Sequence, residues 1–286
     1  MSLTVVVCVK EVLYAGLPHV LSEDGCLDLE DETCPIYGFN PADRSALELA
    51  VRLKENARAH VIALTLGPGR AQEALKICLA RGADAATHLV CPEGTEWDAW
   101  QSAGLVAREL HHRKTDLALC GEESLDNACG VFGPFLAERL GWPQVTRVEA
   151  LELQGEDRIL VRRQLEHGDR EVLACPLPAA VSIHPFAEDS QYVPVLQVLR
   201  IASERIERRP VDCEEPPLSQ LRRVEVRAPR ARPRHVLTPA TSLGAAERIS
   251  FLMSGPHVRK DTNLFEGSPH QAAEKIFEFL KERGFV

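Results

Sequence analysis

Up to about residue 143, short apolar runs alternate with segments whose apolar positions recur every three or four residues. That alternation predicts an α/β fold built on a parallel sheet with crossover helices. The runs place strands at residues 3–9, 60–66, 86–90 and 117–120. Between them, Asn40-Pro41 opens a first helix, with Asn at the N-cap and Pro at the first helical position, and Leu47, Ala50 and Leu53 fall on one face. A second helix carries Ala71, Ala74, Leu75, Cys78 and Leu79 inward and stops at Gly82. A third runs from about Asp98 to His112.

Beyond Gly141 the pattern changes. Residues 146–153, 159–164 and 171–183 read as antiparallel strands joined by turns at Gly155 and Gly168, extending or flanking the sheet. From residue 207 to 240 the chain is punctuated by Pro210, Pro216, Pro217, Pro229, Pro233 and Pro239, which remove backbone donors and predict an extended arm. Helical periodicity returns at Ala273, Ile276, Phe277 and Leu280. The division is therefore a core over residues 1–205 and an arm with a terminal helix over 206–286. Ordering so long an arm costs chain entropy, and a partner subunit lying along it would offset that cost.

Composition narrows the classes. With 45% hydrophobic and 26% charged residues, the chain can bury a full core, so disorder is not the default. A net charge of −9 opposes nucleic acid as a partner. Six arginines between Arg222 and Arg234 are the one basic stretch, yet it carries no aromatic residue on which a base could stack. Acidic residues gather between Glu23 and Glu32. Nine cysteines without paired spacing describe neither a disulfide framework nor a zinc site, and they imply a reducing compartment, the cytoplasm or, after processing, an organelle lumen. No apolar stretch reaches the length of a transmembrane helix, and the apolar N-terminus is too short for a signal peptide.

Candidate chemistry centres on residues 116–143. The apolar run Leu117-Ala118-Leu119-Cys120 ends at Gly121, and Gly130 opens a further helix after a polar loop. A strand tip feeding a helix N-terminus presents unpaired N–H groups to an anion such as a nucleotide phosphate. Cys120 reads as a buried structural thiol or, with a His beside it, as a nucleophile. His111 and His112 are adjacent, so they point apart and make a poor metal pair. No metal ligand set and no catalytic base–nucleophile pair emerges.

Several of these segments, in this order and spacing, resemble the β subunit of electron-transfer flavoproteins. They are Val6-Val7-Cys8-Val9-Lys10, Asn40-Pro41 with the helix to Lys54, Val61 to Pro68, Ala80 to Asp84, Asp116 to Gly121, Asp126, Gly133-Pro134, Leu140 to Pro143 and Pro178 to Val181. The resemblance implies a doubly wound, mostly parallel Rossmann-like sheet of the adenine-nucleotide α-hydrolase-like kind. It also implies a noncatalytic electron-carrier subunit of a heterodimer, in which an α subunit holds the redox-active FAD. The β subunit would bind AMP, or a second FAD as in electron-bifurcating members, and meet an acyl-CoA dehydrogenase-like or other redox partner.

Carried over residue by residue, the nucleotide contacts are Cys8, Val9, Asn40, Leu66 and Gly67, with Gly121, Asp126, Asn127, Ala128, Cys129, Gly130 and Val131 around the phosphate. Asn40 reads equally as a plain helix cap. Where family members carry Gly-Asp-Thr or Asn-Gln-Thr, this chain has Asn127-Ala128-Cys129-Gly130-Val131-Phe132, so the family's hydroxyl and amide donors are missing at those positions. Val195-Leu196 stands where the family has a Leu-Pro docking anchor, with an internal strand as the alternative. Residues 235–268 are additional to the family and are expected to cover a partner near its flavin. A reading from another class keeps the same fold as a freestanding module that binds AMP or ATP and signals by changing shape.

Overall fold

A computed structural model describes residues 3–13, 37–95, 97–201, 205–211, 244–246, 248–249 and 267–282. The readings of the acidic cluster and the arginine-rich stretch fall outside these residues, as do most of the proline-rich arm and of 235–268.

β1 (Thr4–Cys8) lies at the centre of the main sheet. β2 (Glu11–Leu13) and β3 (Tyr37–Phe39) form a separate antiparallel pair and lead into α1 (Pro41–Ala57). Then follow β4 (His60–Gly67), α2 (Gln72–Arg81), β5 (Ala85–Val90), α3 (Ala99–His112), β6 (Leu117–Gly121) and α4 (Phe132–Leu140). β7 (Gln144–Gln154), β8 (Arg158–Gln164), β9 (Arg170–Pro176) and β10 (Ala179–Ile183) complete the second half. A short α5 (Val195–Leu199) precedes β11 (Ile206–Pro210), and α6 (Pro269–Glu282) belongs to a separate unit.

Among the described residues the sheet has nine strands in the order β11-β5-β4-β1-β6-β10-β7-β8-β9. The chain winds outward from β1 through β4 to β5, then returns through α3 to place β6 on the other side of β1. This is the doubly wound, mostly parallel architecture, with antiparallel β8 and β9 added at one edge.

Both faces of β1 are covered, which is why it reads as continuous apolar sequence. Val5 and Val7 pack in one layer with Leu47, Ala50 and Leu75, while Val6 and Cys8 pack in the other with Val106, Leu110 and Leu136. The helix boundaries follow local chemistry. Asp98 accepts from Gln101 N while the Gln101 side chain accepts from Asp98 N, a capping box that starts α3. Gly82, at φ 137°, ends α2.

Two sequence-based expectations change. Residues 171–183 are not one antiparallel strand: the run breaks at Leu177-Pro178, where Pro has no N–H for a ladder. β9 pairs antiparallel with β8, whereas β10 inserts parallel between β6 and β7. The second change concerns Ile206–Pro210, assigned from sequence to the start of the arm. These residues pair with β5, so the sheet reaches past residue 205. An ionic group fastens this edge strand to α3: Glu109 of α3 bonds Arg113 and Arg209, and both arginines bond Glu207 of β11.

Leu119 is fully buried in central β6. Leu119→Ala is expected to lower the unfolding free energy by about 2–5 kcal/mol, read as a shift in the urea midpoint.

Candidate functional site

In a doubly wound sheet the crevice opens where the winding reverses, at the carboxyl ends of the strands on either side. Here those strands are β1 and β6, whose tips Cys8 and Cys120 are register partners. A cavity of about 570 Å³ lies there, and its lining reaches across to the tip of β4.

The gap between the two tips is held by Asp43 in the first turn of α1. Its carboxylate accepts from Lys10 N at 2.8 Å and from Gly121 N at 2.9 Å. Burial pushes the Asp43 carboxyl up to about 7, against the hydrogen bonds from Lys10, Asn40 and Gly121 that favour its charged form. Gly121 has to be glycine for a packing reason. A Cβ there would overlap the Asp43 carboxylate and sit 2.7 Å from Ala42 Cβ.

Asn40 begins α1, but its side chain makes no capping bond. Its Nδ2 donates to Glu123 O at 2.9 Å, and its Oδ1 accepts from Leu125 N at 3.3 Å. The capping alternative is thereby overturned, and Asn40 tethers the loop that follows β6. Lys10 adds a second tether, its Nζ lying 2.8 Å from Asp126 Oδ1 and 3.4 Å from Ser124 Oγ. Burial alone would raise the Asp126 carboxyl. The bonds from Lys10 and Ser124 outweigh it and hold the group below the usual carboxylate range.

On the far side, Gly67 O accepts from Cys91 N at 3.1 Å and lies 3.0 Å from Nε2 of the fully buried His88. Arg70 bonds Glu11 at 2.9 Å and Glu93 at 3.1 Å and covers the Tyr37 ring. Trp97 lines the same cavity, and its Nε1 is buried without a hydrogen-bond partner.

The residues carried over from the sequence resemblance converge here. Cys8, Val9, Asn40, Leu66, Gly67, Gly121, Asp126, Asn127, Cys129, Gly130 and Val131 all line the cavity. Ala128 does not, but its φ of 46° helps turn the loop toward α4. Cys8 and Cys120 also line the cavity, and burial raises both thiols, which disfavours the reactive thiolate.

Sequence reading missed Asp43, Arg70 and Trp97. Asp43 had a signal, an acidic residue just inside a helix that starts at Asn-Pro, although that signal suggests only a favourable helix dipole. Val195 and Leu196 sit apart from the cavity on α5, 64% and 68% exposed, and the internal-strand alternative falls. Pro194 starts this short helix, and Gln197 ties it to α2 through a 2.7 Å bond to Ala80 O.

Residues 36–211 match the model of the electron transfer flavoprotein domain. Electron transfer flavoprotein subunits β from Bos taurus and Homo sapiens are each 33% identical over 174 residues, covering 60% of this chain and 68% of theirs. The chain belongs to the electron transfer flavoprotein β-subunit family. A further relative is CarD, a subunit of the caffeyl-CoA reductase–Etf complex of Acetobacterium woodii, 35% identical over 159 residues, or 55% of this chain and 60% of its own. Membership brings with it electron transfer and flavin association as the family's business. Among the described residues no helix is long and apolar enough to cross a membrane.

Two predictions follow from Asp43. Gly121→Ala displaces α1 from the strand tips and costs roughly 1–3 kcal/mol of stability, measured by thermal unfolding. The Asp43 carboxyl resonance titrates near pH 7 rather than near 4. Because its folded pKa is raised, its contribution to stability is present below the ordinary carboxylate range and is lost as pH rises through about 7. Carbon-detected NMR reads the titration, and urea unfolding of the wild type against Asp43→Asn between about pH 4 and 8 reads the stability.

Proposed function

We propose that this chain is the β subunit of an electron transfer flavoprotein heterodimer. It braces an α subunit that holds most of the contacts to FAD, and it serves transfer between a dehydrogenase and a downstream acceptor. The observation that carries this reading is the family match over residues 36–211, which supply most of the lining of the switch-point cavity. FAD, when bound, supplies the redox chemistry, accepting and releasing electrons singly or in pairs. The protein's own part is to bind, orient and exclude water, as an electron-carrier subunit without catalytic residues.

The cavity is read as an adenine-nucleotide site, for AMP or for part of a second FAD. Val9, Leu66 and Gly67 offer backbone and apolar contacts at the strand tips, and residues 129–132 offer N–H groups at the start of α4. The unpartnered Trp97 Nε1 is a donor in want of an acceptor at the same place.

Val195 and Leu196 form the docking anchor for an acyl-CoA dehydrogenase-like or other redox partner. Their exposure beside Leu199, 74% exposed, supports an apolar contact of that kind. α6, in the segment that follows β11, meets the α subunit. Exposed Ile276, Phe277 and Phe279 on α6 support a covered, partner-bound helix. The setting is cytoplasmic.

Co-expression with an α subunit is expected to yield a yellow heterodimer, with the β chain alone colourless. Denaturing release followed by chromatography then counts FAD and AMP per heterodimer. A stable β homodimer that ignores α and carries no flavin would refute the proposal.

A further inference from the structure

The electrostatics of the cavity do not suit a phosphate carrying two negative charges. Five acidic residues line it (Glu11, Asp43, Glu122, Glu123 and Asp126), against two basic ones, Lys10 and Arg70. Neither cation is free. Lys10 Nζ is 2.8 Å from Asp126, and Arg70 is shared between Glu11 and Glu93. Glu122 has a counter-ion in Arg147 at 3.3 Å, but Arg147 does not line the cavity.

The side chains nearest the start of α4 offer no compensation. Ala128, Gly130, Val131 and Phe132 bring no hydroxyl, amide or cation. The helix N-terminus attracts anions with the equivalent of only about half an elementary charge. What the cavity does offer is apolar and neutral surface: Val9, Leu64, Leu66 and Trp97, the last with its unpartnered N–H. These groups suit a heterocycle and a sugar.

We infer that the cavity recognises the nucleoside part of its ligand and discriminates against a phosphomonoester dianion, with Asp126 the residue that withholds Lys10 from the phosphate. This rests on the reading of the cavity as a nucleotide site. A phosphodiester, with one charge on each phosphate, remains compatible with it.

The test is calorimetric titration of the full chain with adenosine and with AMP, at low and high potassium chloride. Wild type is expected to bind adenosine at least as tightly as AMP. Added salt is expected to strengthen AMP binding, because screening weakens a net repulsion. Asp126→Asn frees Lys10 and is expected to raise the preference for AMP over adenosine about tenfold. Asp126→Ser repeats the experiment should the first variant not fold. AMP bound tenfold tighter than adenosine by wild type and weakened by salt overturns the inference while leaving the nucleotide reading intact. So does a variant that folds and prefers AMP over adenosine no more than wild type does. Heat from neither ligand removes the nucleotide reading itself, and the inference with it.

Discussion

One carboxylate spans the place where the winding of the sheet reverses. Asp43 reaches from the first turn of α1 to the N–H of Lys10 beyond β1 and the N–H of Gly121 at the end of β6, so a single side chain sets the width of the crevice from behind. Without it two backbone donors would be left in a buried place, where an unmet hydrogen bond costs about 1–3 kcal/mol. Its position also dictates its neighbour, since no side chain fits between Gly121 and α1. A geometry fixed in this way, by helix packing rather than by a flexible loop, is what a binding site needs from its scaffold.

In front of that clamp, the segment after β6 is held from three directions. Asn40 grips its backbone, Lys10 pairs with Asp126, and Arg147 meets Glu122. The same segment contributes three of the acidic residues in the cavity lining, Glu122, Glu123 and Asp126. Shape and charge therefore have separate origins: the strand tips and α1 frame the pocket, and the loop brings most of its acidic residues.

The elements that were legible in the sequence are those specified by neighbours in the chain. β1 announces itself as an apolar run because both its faces are buried, and α1 because Asn40-Pro41 fixes its start. α3 is defined by a capping box within four consecutive residues. The positions of the strand-tip contacts followed from the family resemblance, and the cavity gathers them together. What stayed hidden depends on distant meetings. Asn40 looked like a cap because capping is local chemistry, whereas its partners, Glu123 and Leu125, lie on another loop. The pairing of Lys10 with Asp126 and of Arg70 with Glu11 and Glu93 could be known only once the strands were in place. α5 was obscured because Val, Leu and Gln after Pro194 suit a strand as well as a helix.

The insertion of β10 has a further consequence. β6 pairs with β1 on one side, but its other edge is occupied by a strand that arrives only after β7, β8 and β9 have been made. During synthesis on the ribosome, the most buried half of the molecule must therefore wait with an open hydrogen-bonding edge until the chain beyond Pro178 emerges. Contacts so far apart along the chain slow folding and expose strand edges to other molecules. A nascent chain stalled before that point would be a template for aggregation.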